Sequence, residues 1–164
     1  MNSESRKFES SDKKIMEIDK ALFEKSKILK GLLEDYPGDD DVVPINEVDY
    51  ENLGYIKDYL KHYQNMEPKE IPKPFPDDAD EAFFKSVLND DWTFNFLKNL
   101  GIKGAINLIN AANFLQIDGL ITILSAYLGW ELANCPVEKA REKFKIESDM
   151  TEEEKAEFDK YPVD

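Results

Sequence analysis

Apolar and polar positions change their period along the chain, and the changes mark the elements. Phe8 precedes the polar run Ser10-Ser11-Asp12-Lys13, and Ile15-Met16-Glu17-Ile18 follows it, the pattern of a β-hairpin. Ser and Asp side chains bond their own backbone and so favour the reversal. Leu22, Phe23, Ile28, Leu29, Leu32 and Leu33 then predict one or two short helices ending near Tyr36-Pro37-Gly38. Asp39-Asp40-Asp41 reads as a solvated loop and Val42-Val43-Pro44-Ile45 as a short strand. Pro44 has no amide hydrogen, which places that strand at a sheet edge or end. Leu53, Ile56, Tyr59, Leu60 and Tyr63 fall at three- and four-residue steps and predict a helix from about Asp49 to Tyr63.

Residues 64–80 carry Pro68, Pro72, Pro74 and Pro76 together with Glu67, Glu70, Asp77, Asp78 and Asp80. That proline density excludes a helix or a central strand, and the segment reads as a flexible excursion inside the domain. Everything after it is helical in pattern. A short helix starts at Asp91-Trp92, a longer one runs from Lys103 to Gln116, and Leu120 to Leu132 is apolar nearly all round, as a core helix is. Asn107, Asn110, Asn113, Gln116 and Asp118 interrupt any membrane-spanning stretch. Pro136 suits the first turn of a helix to about Lys145, and Thr151-Glu152-Glu153-Glu154 has capping-box spacing. The order, strands with helices and then helices alone, predicts an α+β domain over 1–132 and a two-helix extension over 133–164.

Charge sharpens this picture. Of 164 residues, 21 are basic and 35 acidic, a net charge of −14, and residues 37–91 alone carry −10. Such acidity argues against a nucleic-acid backbone or an anionic membrane as the main partner, while 41% hydrophobic residues are too many for a disordered acidic chain. The polar start Met1-Asn2-Ser3-Glu4-Ser5-Arg6-Lys7, with no apolar run after it, predicts no secretory signal and an intracellular setting, cytoplasmic and nuclear. Ala105 to Gly129 is broken by one charge, Asp118, and is where core and partner surface are expected to meet.

Catalytic chemistry finds little to rest on. Cys135 is the one cysteine and has no histidine near it in sequence, and His62, the one histidine, lies among aromatic residues of a helix. A nucleophilic thiol needs a base or a positive field. The seven glycines form no phosphate loop, and Asp39-Asp40-Asp41 lacks the alternating ligands of a calcium loop. No catalytic, cofactor-binding or metal-binding residue is assigned and no cofactor is expected. The reading from a different class is a hydrolase using clustered carboxylates, which would require an environment that perturbs one of them.

The segment Ile109-Asn110-Ala111-Ala112-Asn113-Phe114-Leu115-Gln116-Ile117-Asp118-Gly119-Leu120-Ile121 is distinctive. It resembles the I-L-A-A-N-Y-L-D-I-K-G-L-L signature of the S-phase kinase-associated adaptor family, BTB/POZ-fold subunits that join F-box proteins to a cullin in SCF ubiquitin ligases. Leu33-Glu34-Asp35, Val43-Pro44-Ile45, Trp92 with Phe96-Leu97, Arg141-x-x-Phe144-x-Ile146 and Asp149-Met150-Thr151-Glu152-Glu153-Glu154 follow in the family's order. Elongin C shares the BTB/POZ core but stops before two terminal helices, which are expected of this chain. The resemblance implies a non-catalytic adaptor whose cullin-facing residues would be Val43, Pro44, Ile45, Asn113 and Phe114. It implies F-box contacts from Val137, Ala140, Phe144, Ile146, Met150 and Phe158, with Leu124, Tyr127 and Leu128 beneath them. The implied partners are F-box proteins and a cullin N-terminal domain, and an apolar face left without its partner favours self-association of the free chain. The alternatives are an F-box-binding adaptor in complexes without a cullin, as at kinetochores, and an elongin C-like adaptor.

The chain departs from the family pattern at several points. Lys13 replaces the turn glycine, Phe114 lacks the tyrosine hydroxyl, and Cys135 stands where threonine precedes proline. The segment 136–141 is one residue longer, with Ala140 where isoleucine is usual, and Tyr161-Pro162-Val163-Asp164 lacks the tryptophan-bearing tail.

Overall fold

A computed structural model describes residues 5–133 together with Cys135, Lys139 and Glu142. The chain divides into Met1–Asn134 and Cys135–Asp164, and the described elements lie in the first unit. The helices expected from Pro136 and from Thr151, and with them Val137, Ala140, Phe144, Ile146, Met150 and Phe158, lie outside the described residues.

The architecture is mixed α and β. Strands β1 (Ser5–Glu9) and β2 (Ile15–Asp19) form the hairpin, and β3 (Val42–Pro44) pairs parallel to β1, giving the order β2-β1-β3. Pro44 therefore does sit on an edge strand. Phe8, Met16, Ile18 and Val43 point inward, while Lys7, Ile15, Glu17 and Val42 alternate outward, as period-two pleating requires. A 3-10 turn (Lys20–Lys25) leads into α1 (Lys27–Asp35), followed by α2 (Tyr50–His62), α3 (Glu81–Val87), α4 (Asp91–Phe114) and α5 (Asp118–Ala133).

The hairpin turns through Ser10–Lys13. Lys13 N–H donates to Ser10 O at 3.0 Å, Ser10 N–H donates to Lys14 O at 2.9 Å, and Lys13 adopts φ 62°. A left-handed residue closing a short hairpin loop makes a bulge that glycine fills most easily. The position that departs from the family glycine is the one that needs positive φ. The Asp12 carboxylate accepts from Ser10 Oγ at 2.5 Å and from Tyr50 N–H at 2.9 Å, tying the turn to the start of α2. Arg6, buried within β1, donates from Nη2 to Tyr36 O at 2.6 Å. It thereby supplies a cation to the carbonyl end of α1, which has no basic residue in its last turn.

Helices start where short polar side chains cap them. Ser26, Asp49, Asp80 and Asp90 accept from the N–H groups of Leu29, Asn52, Phe83 and Thr93, each contributing about 1 kcal/mol. The two helices expected over 91–116 are present as the two halves of α4, separated at Gly101, whose φ 65°, ψ −178° only glycine adopts readily. Helix α3 has no counterpart among the expected elements, because seven residues are too few for periodicity to show. Residues 64–80 form no helix or strand, as the prolines require, but the segment is anchored rather than free. Ile71 and Ala79 are buried, Lys69 N–H donates to Asn89 Oδ1, Lys25 pairs with Glu67, and Trp130 Nε1–H donates to Ala79 O.

One hydrogen-bonded chain joins α2 to the start of α4. Tyr63 OH lies 2.5 Å from Thr93 Oγ1, which donates to Asp90 Oδ1 at 2.8 Å, and Asp90 Oδ2 lies 2.7 Å from His62 Nε2. Burial works to raise the Asp90 carboxyl's pKa, but donors from Thr93 and His62 outweigh it and hold it below its ordinary value. Two outcomes test these local constraints. Replacing Lys13 by glycine should raise unfolding stability by about 1 kcal/mol, seen as a higher denaturation midpoint at unchanged slope. Because the folded-state pKa of Asp90 is depressed, its contribution is full above the unfolded value near 4 and is lost as pH falls through the lower folded value. The stability gap between the native chain and Asp90→Asn should accordingly narrow below about pH 4 in acid titrations.

Candidate partner-binding surface

The distinctive segment spans the second half of α4, its C-terminus and the start of α5. Ala105, Leu108, Ala111 and Ala112 face inward and are buried, and Asn113 and Phe114 emerge at the end, Phe114 being 40% exposed. The helix stops there by backbone geometry. Gln116 takes φ 53°, its N–H donates to Asn113 O at 3.2 Å, and Ile117 N–H donates to Ala112 O at 3.0 Å. This is the Schellman arrangement, with a non-glycine residue in the left-handed position. Buried Ser26 fixes the same turn from outside, donating from Oγ to Leu115 O at 2.6 Å while capping α1. Asn113 and Phe114 are thus presented from a stop held at both ends.

Gly119 in the first turn of α5 is required by close approach. A Cβ there would lie 2.5 Å from Tyr59 Oη and 2.9 Å from Pro68 Cγ. The absent side chain lets α5 seat against α2 and pins the proline-bearing segment over it. Burial raises the Tyr59 hydroxyl's pKa, so the group stays neutral in this contact.

The remaining expected contact residues divide by exposure. Val43 and Ile45 are 0% and 1% exposed, so their side chains belong to the core and cannot meet a partner. Pro44, between them, is half-buried, and Val42, at 40%, is the exposed apolar residue of the strand. Strand alternation carried that signal, since residues one apart face opposite ways. Leu124 and Tyr127 are buried and Leu128 is half-buried. Tyr127 packs beside Phe84 and Trp130, and burial together with Glu131 pushes its hydroxyl pKa up to about 12. Leu132, 49% exposed near the end of α5, was not among the expected contacts.

The described residues contain no group of three or more His, Cys, Asp or Glu arranged to hold a metal ion. No described helix is long and apolar enough to cross a membrane. What the surface offers is contact: an exposed aromatic ring and an amide at a rigid helix end.

The family model described as "Skp1 family, tetramerisation domain" matches residues 4–65. SKP1-like protein 18 of Arabidopsis thaliana is 32% identical over 160 residues, covering 98% of this chain and 95% of the relative. The chain belongs to the S-phase kinase-associated protein 1 family. The S-phase kinase-associated protein 1 homolog of Tetrahymena thermophila is 30% identical over 149 residues, 91% of this chain and 86% of its own. SKP1-like protein 15 of Arabidopsis thaliana is 32% identical over 163 residues, 96% and 88% respectively. The three-stranded sheet with its five helices is accordingly a POZ-type fold.

In this member of the S-phase kinase-associated protein 1 family, seating of α5 depends on Gly119. Gly119→Ala should therefore lower stability by about 1–3 kcal/mol in chemical denaturation. Gly129→Ala, where a Cβ meets nothing within 4 Å, serves as the neutral comparison.

Proposed function

We propose that this protein is a non-catalytic adaptor of an SCF-type ubiquitin ligase, holding a cullin N-terminal domain on its POZ unit and an F-box protein on the C-terminal extension. Family membership over almost the whole chain carries the reading, and the end of α4 supports its cullin-facing half. Substrate would be positioned by the F-box protein, and the transfer chemistry would belong to other subunits acting in the cytoplasm and nucleus. Asn113 and Phe114 supply the cullin contact beside Val42 and Pro44, rather than Val43 and Ile45, whose side chains are occupied in the core. Residues 133–164 supply the F-box contact, through Val137, Ala140, Phe144, Ile146, Met150 and Phe158.

Phe114 gives the second reading its footing. Without a phenolic hydroxyl the ring can pack but cannot donate a hydrogen bond, which favours an adaptor that keeps F-box partners and binds a cullin weakly or not at all.

Co-expression with one F-box domain and a cullin N-terminal fragment, followed by size-exclusion chromatography, separates these readings. A ternary complex is expected from the native chain. Phe114→Glu, at a position already exposed, should abolish cullin co-elution and leave F-box co-elution intact. A native chain that carries the F-box domain without the cullin selects the second reading, and loss of both partners on substitution overturns the assignment of Phe114.

A further inference from the structure

The start of α5 is built unlike the starts of α1 to α4. Those four are capped by Ser26, Asp49, Asp80 and Asp90, whereas α5 follows Ile117, whose side chain has no acceptor to offer. The N–H groups of Asp118, Gly119 and Leu120 find no acceptor among the described residues. First-turn N–H groups point back out of a helix end, and this end forms one wall of a cavity of about 210 Å³. Ile117, Asp118 and Gly119 make that wall, and Tyr59 and Lys27 are among the residues that line the rest.

Tyr59 adds a donor of a different kind. It is 2% exposed, and its hydroxyl makes no hydrogen bond among the described residues. The hydroxyl is aimed at the same helical turn: a Cβ on Gly119 would lie 2.5 Å from Tyr59 Oη, so the missing side chain leaves the donor its opening. Burial raises its pKa and keeps it protonated. A buried hydroxyl left without an acceptor is destabilising, and a ligand that accepts from it recovers that loss.

The lining charges decide what charge the ligand carries. Glu67 is taken by its pair with Lys25. Lys27 and Asp118, both exposed, make no ion pair among the described residues and offset each other. What remains is the helix end, equivalent to about half a positive charge, together with a set of unspent donors. A donor-rich cavity with so small a surplus fits a group that only accepts and carries a single charge, which is a carboxylate. A dianion would bring its second charge against Asp118 and Glu67. Ile117, itself buried, supplies an apolar part of the lining, and the volume holds a carboxyl on a short aliphatic stem.

We propose that the cavity between the start of α5 and Tyr59 binds one carboxylate group on a short aliphatic stem. The first-turn N–H groups of α5 and the Tyr59 hydroxyl donate to its oxygens, and Lys27 supplies the counter-charge. Two sources carry this chemistry: a free short-chain acid, and an acidic side chain of a protein docked on Phe114, two residues before Gln116 of the cavity wall. The second source alone rests on the adaptor reading.

The test titrates propionate, and its neutral isostere propionamide, into the full chain labelled with ¹⁵N at constant ionic strength. Propionate should shift the Asp118, Gly119 and Leu120 amide resonances together and saturably, and propionamide should bind about fivefold more weakly or less. Tyr59→Phe removes only the unpartnered hydroxyl, so the variant should keep its unfolding midpoint and lose about fivefold in propionate affinity. Lys27→Gln, at an exposed position, should weaken binding about threefold and decides the matter should Tyr59→Phe disturb the fold. The proposal is overturned by an absence of saturable shifts up to about 100 mM propionate, by equal binding of propionamide, or by affinity unchanged in both variants. Co-elution of Tyr59→Phe with the F-box domain and the cullin fragment then assigns the source. Weakened cullin co-elution with F-box co-elution intact gives the carboxylate to the cullin, and unchanged co-elution gives it to a free acid. The titration uses the free chain, so its result stands whether or not the adaptor reading does.

Discussion

Asp90 is the side chain on which the helical half of this protein depends. One carboxylate does three things: it caps α4 through Thr93 N–H, accepts from the Thr93 hydroxyl that meets Tyr63, and holds His62 against the face of Trp92. Each contact alone is worth about 1 kcal/mol, but they share atoms and are therefore coupled. The geometry of α2 against α4, the ring stack between them and the entry of the chain from α3 into α4 all refer to this residue. Among the described residues most carboxylates are exposed; this one sets register.

A second constraint acts at the other end of α4. Ser26 Oγ reaches from α1 to the Leu115 carbonyl, and the missing side chain of Gly119 lets Tyr59 and Pro68 close over the first turn of α5. Both fix a helix end, by a hydrogen bond in one case and by the absence of an atom in the other. The consequence is that Asn113 and Phe114 project from backbone whose direction is set by buried contacts. Exposed side chains on such a mount have little backbone freedom left to lose.

Much of this was legible in the sequence, for reasons that differ by element. The hairpin, the edge position of Pro44 and helix α2 follow from period and from proline's missing amide, which are local properties. The break within α4 was readable as two helices, though not that it would fall on Gly101 through a conformation that other residues rarely adopt. Val43 and Ile45 show the opposite failure. Family resemblance named the strand as a contact region, and only its alternation, applied residue by residue, separates the buried pair from Val42 and Pro44. The 64–80 excursion read as free because prolines and carboxylates forbid regular structure; its anchors, Ile71, Ala79 and the Glu67 pair, are tertiary and leave no local pattern. The Asp90 network was equally invisible, since it joins residues 28 and 30 positions apart.

Gly101 also decides how the two ends of α4 relate. A continuous 24-residue helix would transmit a tilt at one end to the other as a lever. The non-helical glycine uncouples them, so the first half is set by Asp90 and the aromatic stack, and the second by Ser26 and the left-handed Gln116. Each half then has its own anchor and its own exposed polar residues, Asn95 and Asn99 on the first and Asn113 on the second. A tilt imposed at Phe114 thus has no rigid rod through which to reach Trp92. The sequence feature that reads as a boundary between two helices is such a boundary in the folded chain, and it leaves each half to be oriented by its own buried contacts.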